Sequence, residues 1–383
     1  MAHALLGPSS AERWMACPGS VRFTEGMSDS TSVFAAEGSL AHEVAELKAL
    51  KTFRPDLMKT RSFNAKMKKL KEKELYQDEM QYFTDRYVEE LLELTMDLES
   101  PLIAVEEKVE FTQYVPGGFG TADFIAISGD TLVVCDFKYG KGVEVDAFEN
   151  KQMLLYALGA YLAYSVIYDI KKIRMAVIQP RIANFSTWEC DTEYLLSFAE
   201  EAGKRARLAF DGVQEFKAGK HCKFCKAKVQ CRTRAESNLK LRDYGFAKAN
   251  MMTKEEIGSI IKEGEDLAAW VKEIKDWALN QCLEGNDVPG WKAVAGRGRR
   301  EFEDTDMALE KLVSSGVPEE ILYERKPLTL AKIEKEIGKK DFKELVGEMV
   351  IMKVGKPTLA PIDDKRTAIT NRAKAADVFT VLD

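Results

Sequence analysis

The spacing of hydrophobic and polar positions changes several times along this chain, and each change marks an element. Between residues 34 and 51, Ala, Leu and Val recur every three to four positions, which predicts a helix. His42 and Glu46 stand four apart on it and share one face. Residues 56–74 are rich in Lys and suit either a solvated helix or a mobile arm. Residues 75–98 read as a second helix, with Tyr82, Val88, Leu91, Leu92 and Leu94 as expected core positions. A short helix through Met15, capped by Ser9 or Ser10, precedes them all.

At Pro101 the period drops to two. Residues 102–111 predict a strand, and Pro116-Gly117-Gly118 a turn. Residues 119–128 and 131–138 predict a hairpin around Ser128-Gly129-Asp130. A helix from about 146 to 167, strands at 172–180 and 185–190, and a helix over 191–217 follow. Helix, three strands, helix, strand is the order of an α/β fold with one mixed central sheet flanked by helices. After about residue 240 the composition shifts. Thr253 and Glu256 form a capping-box pair before a helix to about 284. A strand-like stretch surrounds Trp291, and helices are expected at 305–315 and 329–346. The chain therefore divides into an expected domain 1–240 and a mostly helical α+β accessory region, 241–383.

Composition narrows the class. The 383 residues are 45% hydrophobic and 31% charged, the balance of a globular protein. No apolar run approaches the ~18 residues of a membrane span, and the first residues lack signal-peptide character. The expectation is a cytoplasmic protein with reduced thiols. Its seven cysteines then read as ligands or buried residues rather than disulfides. The net charge of -6 excludes a wholly basic nucleic-acid coat, though not a local basic groove.

Candidate chemistry lies in the hairpin and after it. Asp123 falls in one predicted strand and Asp136 in the next, so both carboxylates are expected at one end of the sheet. Asp136 and Lys138 are two apart and point to the same face of a strand, with the Phe137 carbonyl between them as a further ligand candidate. Asp-x-Lys is common by chance. Here it follows the apolar run Leu132-Val133-Val134-Cys135, so Asp136 emerges from a buried position that a cation would relieve. Two carboxylates and a lysine converging on a hard cation are the equipment of phosphodiester hydrolysis. Gln152 and Tyr156 share a face of the following helix.

The cysteines form a second constellation. Cys222, Cys225 and Cys231 stand together late in the chain and can share one metal, with Cys17 as the best fourth ligand. Lys223, Lys226 and Lys228 are expected to help depress the thiol pKa values. Four thiolates suit Zn²⁺, and His221 adjoins the group as an alternative zinc ligand. Cys135, Cys190 and Cys282 sit in apolar contexts and read as packing residues. The Lys-rich stretch from Lys59 to Lys73 and the Arg297, Arg299, Arg300 cluster are candidate phosphate contacts or plain solvated surface.

In order, GSLAHEVAE around His42, GTAD ending at Asp123, Asp136-Phe137-Lys138 and Gln152-x3-Tyr156 resemble the RecB-type branch of the PD-(D/E)XK nucleases. The resemblance covers roughly residues 9–235, and the whole chain is similar to uncharacterised phage and prophage RecB-like proteins. It implies a restriction-endonuclease-like core and a Mg²⁺- or Mn²⁺-dependent DNA exonuclease of recombination or repair. Asp123, Asp136 and His42 would be metal ligands, Lys138 the catalytic lysine, and Gln152 and Tyr156 would position the strand. Glu107 matches loosely an acidic position of that family, and Ala122 departs from the Pro often found before the first aspartate. The split of Cys17 from Cys222, Cys225 and Cys231 resembles the [4Fe–4S] clasp of AddB-like nucleases. DNA is the implied partner, with a single-strand annealing or binding protein as a candidate partner of residues 245–383. A non-catalytic DNA-binding or scaffold module on the same fold is the competing reading.

Overall fold

The computed structural model describes residues 4–27, 33–240, 253–294, 305–314, 322, 338–346 and 349–350. Its centre is a five-stranded sheet of β1 (Leu102–Glu110), β2 (Phe119–Ser128), β3 (Thr131–Phe137), β4 (Lys172–Gln179) and β5 (Asn184–Asp191), in that spatial order. β1, β2 and β3 pair antiparallel, β3 and β4 run parallel, and β5 returns antiparallel to β4. The parallel pair needs a crossover, and α6 (Lys151–Tyr164) supplies it. β3 is apolar on both faces because helices cover both, with Leu132 and Val134 turned one way and Val133 and Cys135 the other. This is the mixed α/β sheet that the order of elements predicts.

One covering layer holds α1 (Ala11–Ala16), α2 (Ser20–Phe23), α6 and α7 (Thr192–Phe210), closed around Trp14, Phe111 and Leu155. α3 (Val33–Phe53), α4 (Thr60–Lys71) and α5 (Asp78–Leu94) form the other, around Val44, Tyr87, Phe124 and Phe137. Gly159 brings α6 close to β1, since a Cβ there would meet the Val109 side chain at 2.8 Å. α7 stops at Phe210, short of the expected 217, because Gly212 turns the chain at φ 76°.

Two local expectations need correction. The buried stripe of α5 is Met80, Thr84, Tyr87, Leu91 and Leu94, a strict alternation of four and three. Tyr82 and Leu92 lie off that stripe and are each 48% exposed. Ser10 precedes α1, but its hydroxyl donates back to the Gly7 carbonyl at 3.1 Å instead of accepting from the helix.

After β5 and α7 come α8 (Arg232–Leu239) and the 30-residue α9 (Lys254–Leu283), which carries the predicted capping box of Thr253 and Glu256. The chain separates into two compact units, Met1–Val294 and Ala295–Asp383. Around Trp291 the expected strand amounts to one bridge, Val288 to Trp291. In the second unit α10 (Thr305–Ser314) and a helix over Lys339–Val346 are described. Arg297, Arg299, Arg300 and residues 329–337 lie outside the described residues. No helix among the described residues is long and apolar enough to cross a membrane.

Candidate functional site

Strand alternation slips at one level of the sheet, in β1 and β2 together. In β1, Ala104 and Val109 face the same layer although five residues apart. In β2, Ala122 and Ile125 do so although three apart. The register pairs Val105 with Phe124 and Glu107 with Ala122, and the level between them is Glu106 opposite Asp123. Glu106 holds φ 53°, a left-handed conformation rarely adopted by a side chain of this size. Both carboxylates thereby leave the ladder and meet His42 of α3. One ligand atom from each of His42, Glu106 and Asp123 lies within 4.8 Å of the other two. His42 Nδ1 is 3.4 Å from Asp123 Oδ1, and Asp123 Oδ2 accepts the Phe137 N–H at 2.6 Å. Phe137 thus enters through its N–H, where its carbonyl was the expected ligand.

Asp136 stands beside this group at the end of β3 and is 3% exposed. Lys138 Nζ lies 2.9 Å from its Oδ2, and Gln152 Nε2 donates to its Oδ1 at 3.1 Å. Gln152 Oε1 accepts from Lys138 Nζ at 3.2 Å, and Gln152 Nε2 reaches the Tyr156 hydroxyl at 3.2 Å. Asn150 fixes Gln152 by capping α6, its side chain accepting the Gln152 and Met153 N–H groups. The glycine of the GTAD motif has a packing reason: a Cβ on Gly120 would meet the Tyr156 ring at 2.8 Å and Pro8 at 2.7 Å. Arg181, just after β4, binds Glu37 of α3 at 2.9 Å and Glu79 of α5, and lies over the Tyr139 ring at 4.4 Å. It ties the helix carrying His42 to the sheet end.

Three carboxylates crowd one lysine here, and the protonation equilibria show the strain. Burial, then the Asp123 charge, pushes Glu106 up to about 8. Burial lifts Asp136 above the usual carboxylate range despite Lys138. Burial alone would lower His42, but Asp123, Asp136 and Glu106 hold it above its ordinary value. Burial likewise opposes the charge on Lys138, and Asp136 more than restores it. Asp136 Oδ2 is buried and has no well-formed hydrogen bond, since the 2.9 Å Lys138 approach is an ion pair of poor geometry. One imidazole and two carboxylates within ligand range, beside a third carboxylate with an orphaned oxygen, fit a divalent cation such as Mg²⁺ or Mn²⁺.

The four cysteines converge as the second constellation. Cys17, Cys222, Cys225 and Cys231 line one cavity, with His221, Lys228 and Arg234 in the same wall. The loop after α1 reaches it because Gly19 lets the chain touch residues 215 and 216, donating to the Glu215 carbonyl at 3.0 Å. Arg205 of α7 holds the Met15 carbonyl at 2.6 Å. Backbone N–H groups of Lys217 and Gly219 donate to the sulfurs of Cys17 and Cys222, each at 3.4 Å. Such N–H to sulfur bonds suit thiolate ligands, so the set fits a bound metal or cluster. The neighbouring lysines do not depress the thiols as expected: burial dominates and raises Cys222 and Cys225. Lys228 is instead committed to Glu273, and Lys226 donates to the Met27 carbonyl. His221 Nε2 is engaged by the Lys217 carbonyl at 2.8 Å.

His42, Asp123, Asp136, Phe137, Lys138, Gln152, Tyr156 and the four cysteines, all read from the sequence, are each placed in one of these two constellations, with Asp136 on the lysine side of the first. Glu106 escaped that reading, which favoured Glu107. Strict alternation selects one glutamate of the pair, and only the backbone slip at Glu106 reverses the choice; Glu107 is exposed. The Glu106-Glu107 doublet directly after the apolar run Leu102-Ile103-Ala104-Val105 was the available signal.

Fold and site together define a mixed α/β protein with a histidine–carboxylate cluster at a sheet end and a separate four-cysteine pocket. The chain belongs to the family described as "Protein of unknown function (DUF2800)", whose pattern matches residues 3–367. A solved structure described as "Crystal structure of SSO0001" is similar at 12% identity, over 58% of this chain and 96% of that one. Its TM-score is 0.23, and the likeness carries no further weight.

Proposed function

We propose that this protein is a Mg²⁺- or Mn²⁺-dependent DNA nuclease whose core is stapled by a cysteine-held iron–sulfur cluster. The observation that carries the reading is the His42, Glu106 and Asp123 group set directly beside Asp136, Lys138 and Gln152. His42, Glu106 and Asp123 would hold the cation, with Asp136 adjoining. Bound there, it would polarise the scissile phosphate and lower the pKa of an attacking water. Lys138 stays protonated beside Asp136, which suits it to offset charge on the phosphate rather than to remove a proton. Gln152 keeps the ammonium and the Asp136 carboxylate in register, and Tyr156 buttresses Gln152.

The cluster half of the proposal rests on the spacing Cys17 … Cys222-x2-Cys225-x5-Cys231, which resembles the [4Fe–4S] clasp of AddB-like nucleases, and is supported by the four cysteines lining one cavity.

The test uses protein purified without oxygen, Mn²⁺, and matched linear and covalently closed circular DNA. An exonuclease degrades the linear form and spares the circle. Cleavage of both would make it an endonuclease, and cleavage of neither would favour the non-catalytic DNA-binding module.

A further inference from the structure

Arg234 is the least expected member of the cysteine pocket. It lines the cavity with Cys17, Cys222, Cys225 and Cys231, and it is 2% exposed. One terminal nitrogen donates to Glu273 of α9 at 2.6 Å, and the other lies 3.6 Å from Asp266. Its Nε is buried with no hydrogen-bond partner. The carboxylates engage only the terminal nitrogens and leave Nε spare. A buried guanidinium with a spare N–H, in a wall shared with four sulfurs, matches what a set of buried thiolates lacks. Of the lysines in that wall, Lys228 is committed to Glu273, and Lys217 meets Cys17 through its backbone N–H.

The same residues lock α9 onto the pocket. Glu273 accepts from both Arg234 and Lys228, and Trp270, 8% exposed, donates its indole N–H to the Lys228 carbonyl at 3.1 Å. A helix that starts beyond the cysteines is thus seated on the segment that carries three of them.

We infer that Arg234 is the hydrogen-bonding counter-charge of the four-cysteine site and the pin that couples this site to α9. It is a positioning residue, and the inference rests on the four cysteines being one metal-holding set. Loss of the bound metal turns the thiolate acceptors facing Nε into neutral thiols and loosens α9. Loss of Glu273 loosens α9 while the metal remains.

The experiment uses the full chain, purified without oxygen, as wild type, Arg234→Gln, Arg234→Lys and Glu273→Gln. Iron, acid-labile sulfide and zinc are measured per chain. Release to an excess chelator is followed by absorbance, and α9 by amide hydrogen exchange. Arg234→Gln is expected to release metal about tenfold faster or more, with a shifted sulfur-to-metal band. Arg234→Lys keeps the charge without the fork and falls between. Glu273→Gln keeps the band position but loses protection in α9. Wild-type release and an unshifted band in Arg234→Gln overturn the inference and leave the cluster reading intact. If Arg234→Gln does not fold, unchanged release in Arg234→Lys overturns it equally. A zinc-loaded wild type removes the iron–sulfur reading alone, and Arg234 is then judged by zinc release. A wild type without metal removes both.

Discussion

Glu106 occupies a backbone conformation that few residues of its size accept, and the site depends on it. Replacing it with Gln keeps the shape and removes the charge of a proposed ligand, so Mn²⁺ affinity by calorimetry should fall about tenfold or more. Stability is affected in a predictable direction. Glu106, Asp136 and His42 all have pKa values raised by folding. Each therefore contributes stability at low pH that is lost as pH climbs through its folded value. For Glu106 that window runs from the ordinary carboxylate range up to about 8. Metal-free protein should melt a few degrees lower at pH 8 than at pH 5, with a flatter profile for Glu106→Gln. Gly120 supplies a second test at this scale. Its missing Cβ leaves room for Tyr156 and Pro8, so Gly120→Ala should cost about 1–3 kcal/mol in urea unfolding and slow the proposed DNA degradation without touching a charge.

Elements carry two further predictions, and they show where sequence stops being sufficient. The strands, the mixed sheet and most helix positions follow from periodicity, because burial on one or both faces imposes a period that side chains must obey. The phase of α5 did not follow, since Leu91 and Leu92 are equally apolar neighbours and only the 80, 84, 87, 91, 94 stripe separates them. Leu91→Ala should cost about 2–5 kcal/mol and Leu92→Ala under about 1 kcal/mol, measured by chemical denaturation. Asp123, Asp136, Lys138, Gln152, Tyr156 and His42 were legible as spaced polar residues on regular elements. Glu106 and Arg234 were not, because one depends on a backbone slip and the other on a helix that returns from far along the chain. α4 bears exposed Lys66, Lys68, Lys69 and Lys71, and Lys66 acts on Glu46, one turn beyond His42 on α3. If this face guides a phosphate backbone toward the site, reversing Lys66 and Lys69 to Glu weakens DNA binding. The slope of log affinity against log salt should then shrink by about one for each phosphate no longer neutralised, while Mn²⁺ binding persists.

At the scale of the molecule, the two constellations divide the labour. The cysteine pocket joins the N-terminal loop at Cys17 to the segment after α7, and α9 closes over that segment. The proposed cation site sits at the sheet end, held by α3 on one side and α6 on the other. On the proposed reading, stripping metal from the cysteines should therefore lower the melting temperature and loosen α1 and α9, leaving the Asp123 and Asp136 geometry as the last to change. The central claim is cation-dependent phosphodiester hydrolysis at that sheet end. Its most direct test is the rate at which wild type and Lys138→Ala degrade end-labelled linear DNA under saturating Mn²⁺, with matched circular dichroism. The account predicts rapid degradation by wild type and a loss of about a hundredfold or more in the variant. Equal rates in the two proteins, or no degradation by either, would contradict it.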